Sequence, residues 1–326
     1  MPFVSIILPT YNVEPFIAEA MESCIQQSFG DIEIIVLDDC GSDGSIAIAK
    51  EYAKRDTRVK IVHNAENLQL FAARAEGVKV AQGEYIMFLD PDDMLDSDAL
   101  QACVDAMRQP GGGELDLVCF NYKTLQDSHT HPVLYYRDAI YASREDFYLF
   151  CLKKSWINWN IWGKLLKKEL YLKAFALIDP HTRIGVAEDC LLYAAYSSLI
   201  RNAITLQAPL LTYRIHAQSM SAANTPESIT QHIHHHNFVY AHIQRYFHSI
   251  AHESSFAQRV FCARYLELIA WQIAGLQAEY KRREGTFSPR DSRKLSYAKK
   301  RARYKRYAQN FILKIWKALF WRKDSR

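Results

Sequence analysis

Short apolar runs alternate with stretches of helical spacing over the first 120 residues. The runs have the length and residue types of strands and lie at Val4–Leu8, Ile32–Leu37, Val59–Val62, Tyr85–Leu89 and Leu115–Phe120. Between them, apolar residues recur every three or four positions in Phe16–Ile25, Ser45–Ala53, Leu70–Val80 and Ala99–Met107. Strands that alternate with helices predict an α/β fold, with a Rossmann-like, mostly parallel sheet and helices on both faces.

The pattern changes in the second half of the chain. Strand-like material continues over residues 115–150, and from about residue 226 onward the spacing of apolar positions is helical. We therefore predict three parts: a domain at 1–221, a helical extension at 222–292 and a tail at 293–326.

Composition is that of a globular protein, with 49% hydrophobic and 23% charged residues. The seven cysteines are scattered and contain no CxxC pair, which favours reduced thiols in the cytoplasm over a disulfide or zinc framework. The first residues lack the pattern of a signal peptide, and no window has the roughly 18 apolar residues of a membrane span. We expect a cytoplasmic protein.

The tail differs from the rest of the chain in charge. Residues 293–326 hold 13 of the 40 Lys and Arg residues but only one of the 36 acidic residues. A helix there would place Tyr304, Phe311 and Trp316 beside an apolar stripe opposite basic residues, as in helices that lie in a membrane interface. Nucleic acid or another subunit are the alternative partners. The apolar stripe favours an anionic membrane surface, reached from the cytoplasm, over nucleic acid.

Polar segments follow three predicted strands, where ligands bind in parallel sheets. They are Pro9-Thr10-Tyr11-Asn12, the stretch from Asp38 to Ser45, and Asp90-Pro91-Asp92-Asp93. Three carboxylates within four residues repel one another, and a divalent cation such as Mg²⁺ or Mn²⁺ would neutralise them. Each segment alone also fits a turn or a helix cap. Their occurrence at one edge of the sheet favours a ligand site.

Six motifs in order carry a family resemblance. The stretches SIILPTYN, IIVLDDCGSDGS, AARAEGVKVAQGEYIMFLDPDD, WGKLLKKELY, AEDCLLY and YRIHAQSMS make the chain, over residues 3–221, similar to family 2 glycosyltransferases of the GT-A fold. The resemblance implies a nucleotide-sugar donor, usually a UDP-hexose, with Mn²⁺ or Mg²⁺ and inversion at the anomeric carbon. Residues 1–221 would then bind both the donor and the acceptor.

The resemblance also implies roles for individual residues. Asp189 matches the general base, and Glu188 would help to hold it. Asp92, with Asp90, would bind the metal, although Asp93 is an alternative within the same cluster. His216 would add a metal or diphosphate contact there, or it is instead a surface or packing histidine. The donor would contact Pro9, Thr10, Tyr11, Asp39, Arg74, Asp90, Pro91, Asp92 and His216.

The chain also departs from the family pattern. It has Asp39-Cys40-Gly41-Ser42-Asp43 where members often have Asp-Gly-Ser-x-Asp. No Gln-x-x-Arg-Trp motif follows Asp189, so we expect a non-processive enzyme that adds one sugar to a growing glycan. That glycan would be lipopolysaccharide, capsule or a lipid-linked oligosaccharide.

Two other functions remain open. A nucleotidyltransferase on a related fold would also use paired aspartates and Mg²⁺, but it should carry a glycine-rich basic loop, and Ser5–Asn12 has neither glycine nor a basic residue. A degenerate homologue would only bind a membrane or a partner. The presence of Asp39, Asp90, Asp92 and Asp189 together argues against that alternative.

Two further clusters have competing interpretations. Trp156, Trp159 and Trp162 would either stack on acceptor sugars or pack in the domain, and we favour packing. The histidines at 232, 234, 235 and 236 would form either a zinc site or a solvated helix face, and we favour the solvated face.

Overall fold

The computed structural model describes residues 1–109, 114–179, 181–216, 219 and 225–296. The strands are Val4–Thr10 (β1), Ile32–Asp38 (β2), Val59–His63 (β3), Tyr85–Phe88 (β4), Met94–Leu95 (β5), Leu117–Gln126 (β6), His129–Val133 (β7), Ala139–Tyr141 (β8), Lys164–Lys167 (β9) and Ala203–Arg214 (β10). The helices are Ile17–Ile25 (α1), Ser45–Arg55 (α2), Gln69–Val80 (α3), Ala99–Arg108 (α4), Arg144–Lys153 (α5), Lys168–Ala176 (α6), Glu188–Leu199 (α7), Pro226–Ser249 (α8) and Phe256–Arg283 (α9).

The strands form one sheet in the order β3-β2-β1-β4-β9-β6-β10-β5, with β7 beside β6 and β8 beside β10. Strands β3, β2, β1 and β4 are parallel. Because β9 is antiparallel to both β4 and β6, and β10 is parallel to β6, the strands β6 and β10 run in the same direction as β1. The carboxyl ends of β1, β2, β3, β4, β6 and β10 therefore face one edge, which we call the carboxyl edge. The predicted α/β fold is confirmed.

Alternation along β1 divides the core into two layers. Val4, Ile6 and Leu8 belong to the cluster that also contains the buried residues of α1. Ile7 points to the opposite face, where α3 packs so closely that a Cβ added at Gly77 would lie 2.6 Å from Ile7 Cγ2. This contact fixes α3 against the sheet.

The described chain divides into two compact units that are not continuous in sequence. The first contains Met1–Arg144 and Trp159–Ser219. The second contains Glu145–Asn158 together with the described residues 225–296. Within the second unit, the rings of Tyr148 and Phe261 stack with their centroids 4.2 Å apart. Of the predicted tail at 293–326, residues 297–326 lie outside the described part of the chain.

The histidine cluster on α8 is more buried than we predicted. His232, His235 and His236 are only 6–8% exposed, because α8 packs along α9. The prediction of a solvated helix face is therefore wrong for these three residues. Burial lowers the pKa of His235 and of His236, since it disfavours the charged imidazolium.

The tryptophans agree with packing. Trp159 is buried, and the Trp162 ring stacks on Tyr213 with centroids 5.3 Å apart. Trp156 contacts the edge of Trp271 inside the second unit. None of the helices in the described ranges has the length and apolarity needed to cross a membrane.

Candidate active site

Strained backbone marks the carboxyl edge. Asn12 and Cys40 follow β1 and β2 with φ of 52° and 63°, and Gln69 and Ala187 adjoin the start of α3 and α7 with φ of 62° and 64°. Residues other than glycine rarely adopt this left-handed conformation, and such strain concentrates at functional sites. Asn12, Cys40 and Ala187 are next in sequence to the predicted site residues Tyr11, Asp39 and Glu188.

The predicted nucleotide-binding residues lie at the ends of β1 and β2. Asp39 is 4% exposed, and its Oδ1 accepts hydrogen bonds from Asn64 Nδ2 at 2.7 Å and Leu68 N at 2.9 Å. Its own backbone N–H donates to the Thr10 carbonyl at 3.0 Å, which holds the two strand ends together. Thr10 is buried, whereas Tyr11 is exposed. Pro9 lies one residue earlier on β1, opposite Leu37.

The loop that departs from the family pattern is fixed by reciprocal hydrogen bonds. Ser42 N donates to Asn12 Oδ1 at 2.8 Å, and Gly44 N donates to Glu14 Oε2 at 2.7 Å. In the other direction, Glu14 N donates to Asp43 Oδ2 at 2.8 Å. The loops after β1 and β2 therefore form one rigid rim of the edge.

Arg74 is the central cation of the site. It is 3% exposed, and its guanidinium donates to Glu188 Oε1 at 2.6 Å and to Asp90 Oδ1 at 2.7 Å. Burial alone would lower the pKa of Arg74, but the Asp90 and Glu188 carboxylates raise it above its usual range. Arg74 therefore joins the aspartate cluster after β4 to the start of α7.

The other aspartates of the cluster contact the end of β10. Asp92 Oδ2 lies 2.9 Å from His216 Nε2, and Asp93 Oδ1 accepts from Arg214 N at 2.8 Å. Arg214 Nε also donates to the Asp92 carbonyl at 3.1 Å. Burial and then the neighbouring carboxylates raise the pKa of Asp92 and of Asp93. Arg214 belongs to the motif YRIHAQSMS, but the sequence alone did not assign it a role.

Two adjacent acids begin α7. Burial raises the pKa of Glu188, with a further contribution from Asp189 and opposition from Arg74, its ion-pair partner. Burial also raises the pKa of Asp189 to about 6, against the opposing charge of Arg74 and a hydrogen bond from Cys190 N at 2.7 Å. A carboxylate that titrates near neutral pH suits a general base, because it is ionised at neutral pH and still accepts a proton.

The donor atoms fit a small divalent cation. Asp92 and His216 face each other at 2.9 Å, close to the separation of about 3 Å expected for two neighbouring ligands with metal bonds of about 2.1 Å. Asp93 Oδ2 and His216 Nδ1 are buried without a hydrogen-bond partner, and three aspartates lie within four residues of the chain. In the described part of the chain, no group of three or more His, Cys, Asp or Glu side chains could hold a metal. Mg²⁺ commonly needs only one or two carboxylates beside a substrate phosphate.

The structure thus brings most of the predicted residues to one edge. Arg74, Asp90 and Glu188 are directly bonded, and Asp92 with His216 forms a second pair in the same cluster. Pro91 lies between the two aspartates in the turn that follows β4.

Comparison with known proteins identifies the family of this chain. Residues 5–174 match the model of glycosyl transferase family 2. The chain belongs to this family. It is 38% identical over 192 residues to the Bacillus subtilis protein named uncharacterized glycosyltransferase EpsJ, covering 58% of this chain and 54% of that protein. It is 31% identical over 221 residues to the putative glycosyltransferase EpsH of the same organism, covering 67% of this chain and 62% of that protein.

Solved structures agree on the fold. Residues 1–349 of S. aureus TarS, in complex with UDP-GlcNAc, superpose with a TM-score of 0.57 at 18% identity, covering 85% of this chain and 84% of that one. The mannosyltransferase PcManGT from Pyrobaculum calidifontis, in complex with GDP-Man and Mn²⁺, gives a TM-score of 0.55 at 17% identity, covering 99% and 88%. The predicted GT-A fold is confirmed.

Proposed function

We propose that the protein transfers a single sugar, with inversion, from a UDP-hexose to a hydroxyl of a growing cell-surface glycan. Lipopolysaccharide, capsule and lipid-linked oligosaccharide are the acceptor classes. The strongest support is the double ion pair of Arg74, because it joins the acid cluster at the end of β4 to the acids that begin α7. A site for a diphosphate and a site for a base are both needed for a direct displacement.

Asp189 is the base of the proposed reaction. Its carboxylate takes the proton of the acceptor hydroxyl while the acceptor oxygen bonds to C1 of the sugar. The bond between C1 and the diphosphate oxygen breaks in the same step, and UDP leaves with the electron pair. Arg74 and Glu188 hold the first turn of α7 in position, since Arg74 bonds Glu188 at 2.6 Å.

The donor would lie along the carboxyl edge. Thr10 and Asp39 would contact its base and ribose, and Pro9 and Tyr11 would line the same pocket. Asp92, with Asp90 and His216, would hold Mn²⁺ or Mg²⁺, which neutralises the charge of the departing diphosphate. Because Asp90 Oδ1 already accepts from Arg74, Asp92 and His216 are the ligands that we place first.

The enzyme would act at the cytoplasmic face of the membrane. We propose that the basic tail docks on anionic lipid, where a lipid-linked acceptor would be available. The C-terminal helices would also provide a surface for oligomerisation. We propose no nucleic-acid partner. Loss of sedimentation with anionic vesicles after deletion of residues 297–326 would support the membrane role. Unchanged sedimentation would contradict it.

A donor panel tests the proposal. We expect wild-type protein to release UDP from one UDP-hexose with Mn²⁺ or Mg²⁺, and to release none with EDTA. Asp92→Ala should release UDP at least about tenfold more slowly, because loss of even the groups around metal ligands typically costs about 10–100-fold in metal affinity or activity. GDP-mannose serves as the competing donor class. Release that is equal with metal and with EDTA would refute the metal assignment, and absence of release from every donor, together with absence of UDP binding by calorimetry, would refute the function.

A further inference from the structure

Lys164 is a buried cation to which neither the sequence nor the proposed reaction assigns a role. It begins β9 and is 0% exposed. Gly163 precedes it with φ of 67°, a left-handed conformation that only glycine adopts freely, and so turns the chain into β9. Lysine is almost never fully buried unless an opposite charge or a set of acceptors compensates for its lost hydration. The surroundings of Lys164 show what compensates here.

The ammonium group of Lys164 faces helix α7. It donates to the Asn160 carbonyl and lies 5.1 Å from the centre of the Tyr193 ring. Tyr193 follows Asp189 by four residues, so both side chains lie on the same face of α7. Lys164 therefore lies along the face of the helix that carries the proposed base.

Strand pairing connects Lys164 to the centre of the sheet. Lys164 on β9 pairs with Cys119 on β6, and two residues further along β9 Leu166 pairs with Ile86 on β4. The guanidinium carbon of Arg74 lies 5.5 Å from the Phe88 ring. Arg74 from α3 therefore bonds Glu188 at the start of α7, and Lys164 from β9 contacts Tyr193 about one turn further along the same helix.

We propose that Lys164 is a positioning residue for the general base: its ammonium, fixed by β9 over Tyr193, stabilises the Asp189 carboxylate and holds the first turn of α7. The inference rests on the proposed function, since it takes Asp189 as the base. Arg74 is paired with Asp90 and Glu188 and also favours the charged form of Asp189, so Lys164 is a second cation that acts on this carboxylate.

The charged groups around Asp189 agree with this assignment. Arg74 and Lys164 favour its ionised form, whereas Asp90 disfavours it. Glu188 is its neighbour on α7, and the charge of Asp189 raises the pKa of Glu188. Other titratable side chains that interact with these groups include Tyr171 on α6, beside Arg74 and Glu188, and Tyr193 on α7 and Cys119 on β6, beside Lys164. Burial raises the pKa of Tyr171 and of Cys119 further above neutrality.

The test is the titration of Asp189 in two lysine variants. Lys164→Met removes the charge and keeps an unbranched chain of similar length. Lys167→Met is the matched control, because Lys167 is also buried on β9 but pairs with Glu114. Carboxyl ¹³C NMR of aspartate-labelled full-length protein, assigned with Asp189→Asn, reports the pKa directly. We expect Lys164→Met to raise it by about 1 unit, the lower end for loss of a nearby opposite charge. Lys167→Met should leave it unchanged.

Kinetics provide a second readout. The acidic limb of the pH profile of kcat/KM should move to higher pH in Lys164→Met, with kcat reduced and the donor KM unchanged. Lys164→Arg should restore the wild-type limb, because it retains the charge. If Lys164→Met fails to fold, Lys164→Gln replaces it.

The outcomes separate the inference from the proposed function. An unchanged Asp189 pKa and an unmoved limb in Lys164→Met would overturn the inference and make Lys164 a packing residue. Absence of sugar transfer by the wild type would instead refute the function. The NMR titration would still decide whether Lys164 controls the ionisation of Asp189.

Discussion

The side chain of Arg74 joins two parts of the site that are far apart in sequence. Its partners Asp90 and Glu188 are 16 and 114 residues away. The planar guanidinium can reach both carboxylates at once, which a lysine ammonium at the end of a flexible chain does less well. The geometry of the site therefore depends on arginine at this position.

We predict that Arg74→Lys lowers kcat/KM by about tenfold to a hundredfold, the value of one charged hydrogen bond of about 1.5–3 kcal/mol. The substitution keeps the charge but leaves one of the two carboxylates without its bond. Steady-state kinetics with the preferred donor measure the effect. Arg58→Lys is the control, since Arg58 bonds Asp56 by a similar fork away from the carboxyl edge. Equal activity of Arg74→Lys and wild type would contradict the role.

The sequence predicted the members of the site better than their bonds. Asp90, Asp92 and Asp189 were found from motifs, because each follows a strand or begins a helix at a recognisable position. The ion pairs of Arg74 and the contact of Arg214 with Asp93 were not predicted, since they depend on how distant elements pack. Spacing along the chain carries no information about which cation meets which carboxylate.

At the scale of elements, hydrophobic spacing predicted the first four strands and the first four helices to within a few residues. The short strands β5 and β9 were missed, because two and four residues are too few to show alternation. Strand β6 extends to Gln126, beyond the predicted end at Phe120, since its second half pairs with β7 and β10.

The contact of α3 with β1 gives a prediction about stability. Gly77→Ala should lower the free energy of unfolding by about 1–3 kcal/mol, the usual cost of forcing an extra group into a packed core. The new Cβ would lie 2.6 Å from Ile7 Cγ2, and the branched Ile7 side chain is fully buried. Because α3 carries Arg74, activity should fall as well.

Gly275→Ala is the matched control in another helix. Nothing lies within 4 Å of a Cβ at Gly275, so alanine should stabilise α9 by up to about 1 kcal/mol through its higher helix propensity. Urea or thermal unfolding of both variants measures the difference. A Gly77→Ala protein as stable as the wild type would show that the α3 contact is looser than described.

In the whole molecule, the sequence boundaries of the family match differ from those of the compact units. The family model covers residues 5–174, which include the segment Glu145–Asn158 of the second unit. That segment packs with the C-terminal helices, and Arg264 Nη2 donates to the Ser155 carbonyl at 3.0 Å. Such a pairing, 109 residues apart, has no local signal in the sequence.

The central claim is that this chain transfers a sugar with Asp189 as the base. The most direct test compares wild type with Asp189→Asn, measuring nucleoside diphosphate release beside donor affinity on the same preparations. We predict that Asp189→Asn releases nucleoside diphosphate at least about a hundredfold more slowly than wild type, because general bases contribute about 10²–10⁴-fold to the rate. The dissociation constant of the donor should stay within about twofold of the wild-type value, since the base contacts the acceptor and its loss leaves donor binding unchanged. Retained release, or a parallel loss of donor binding, would contradict the account.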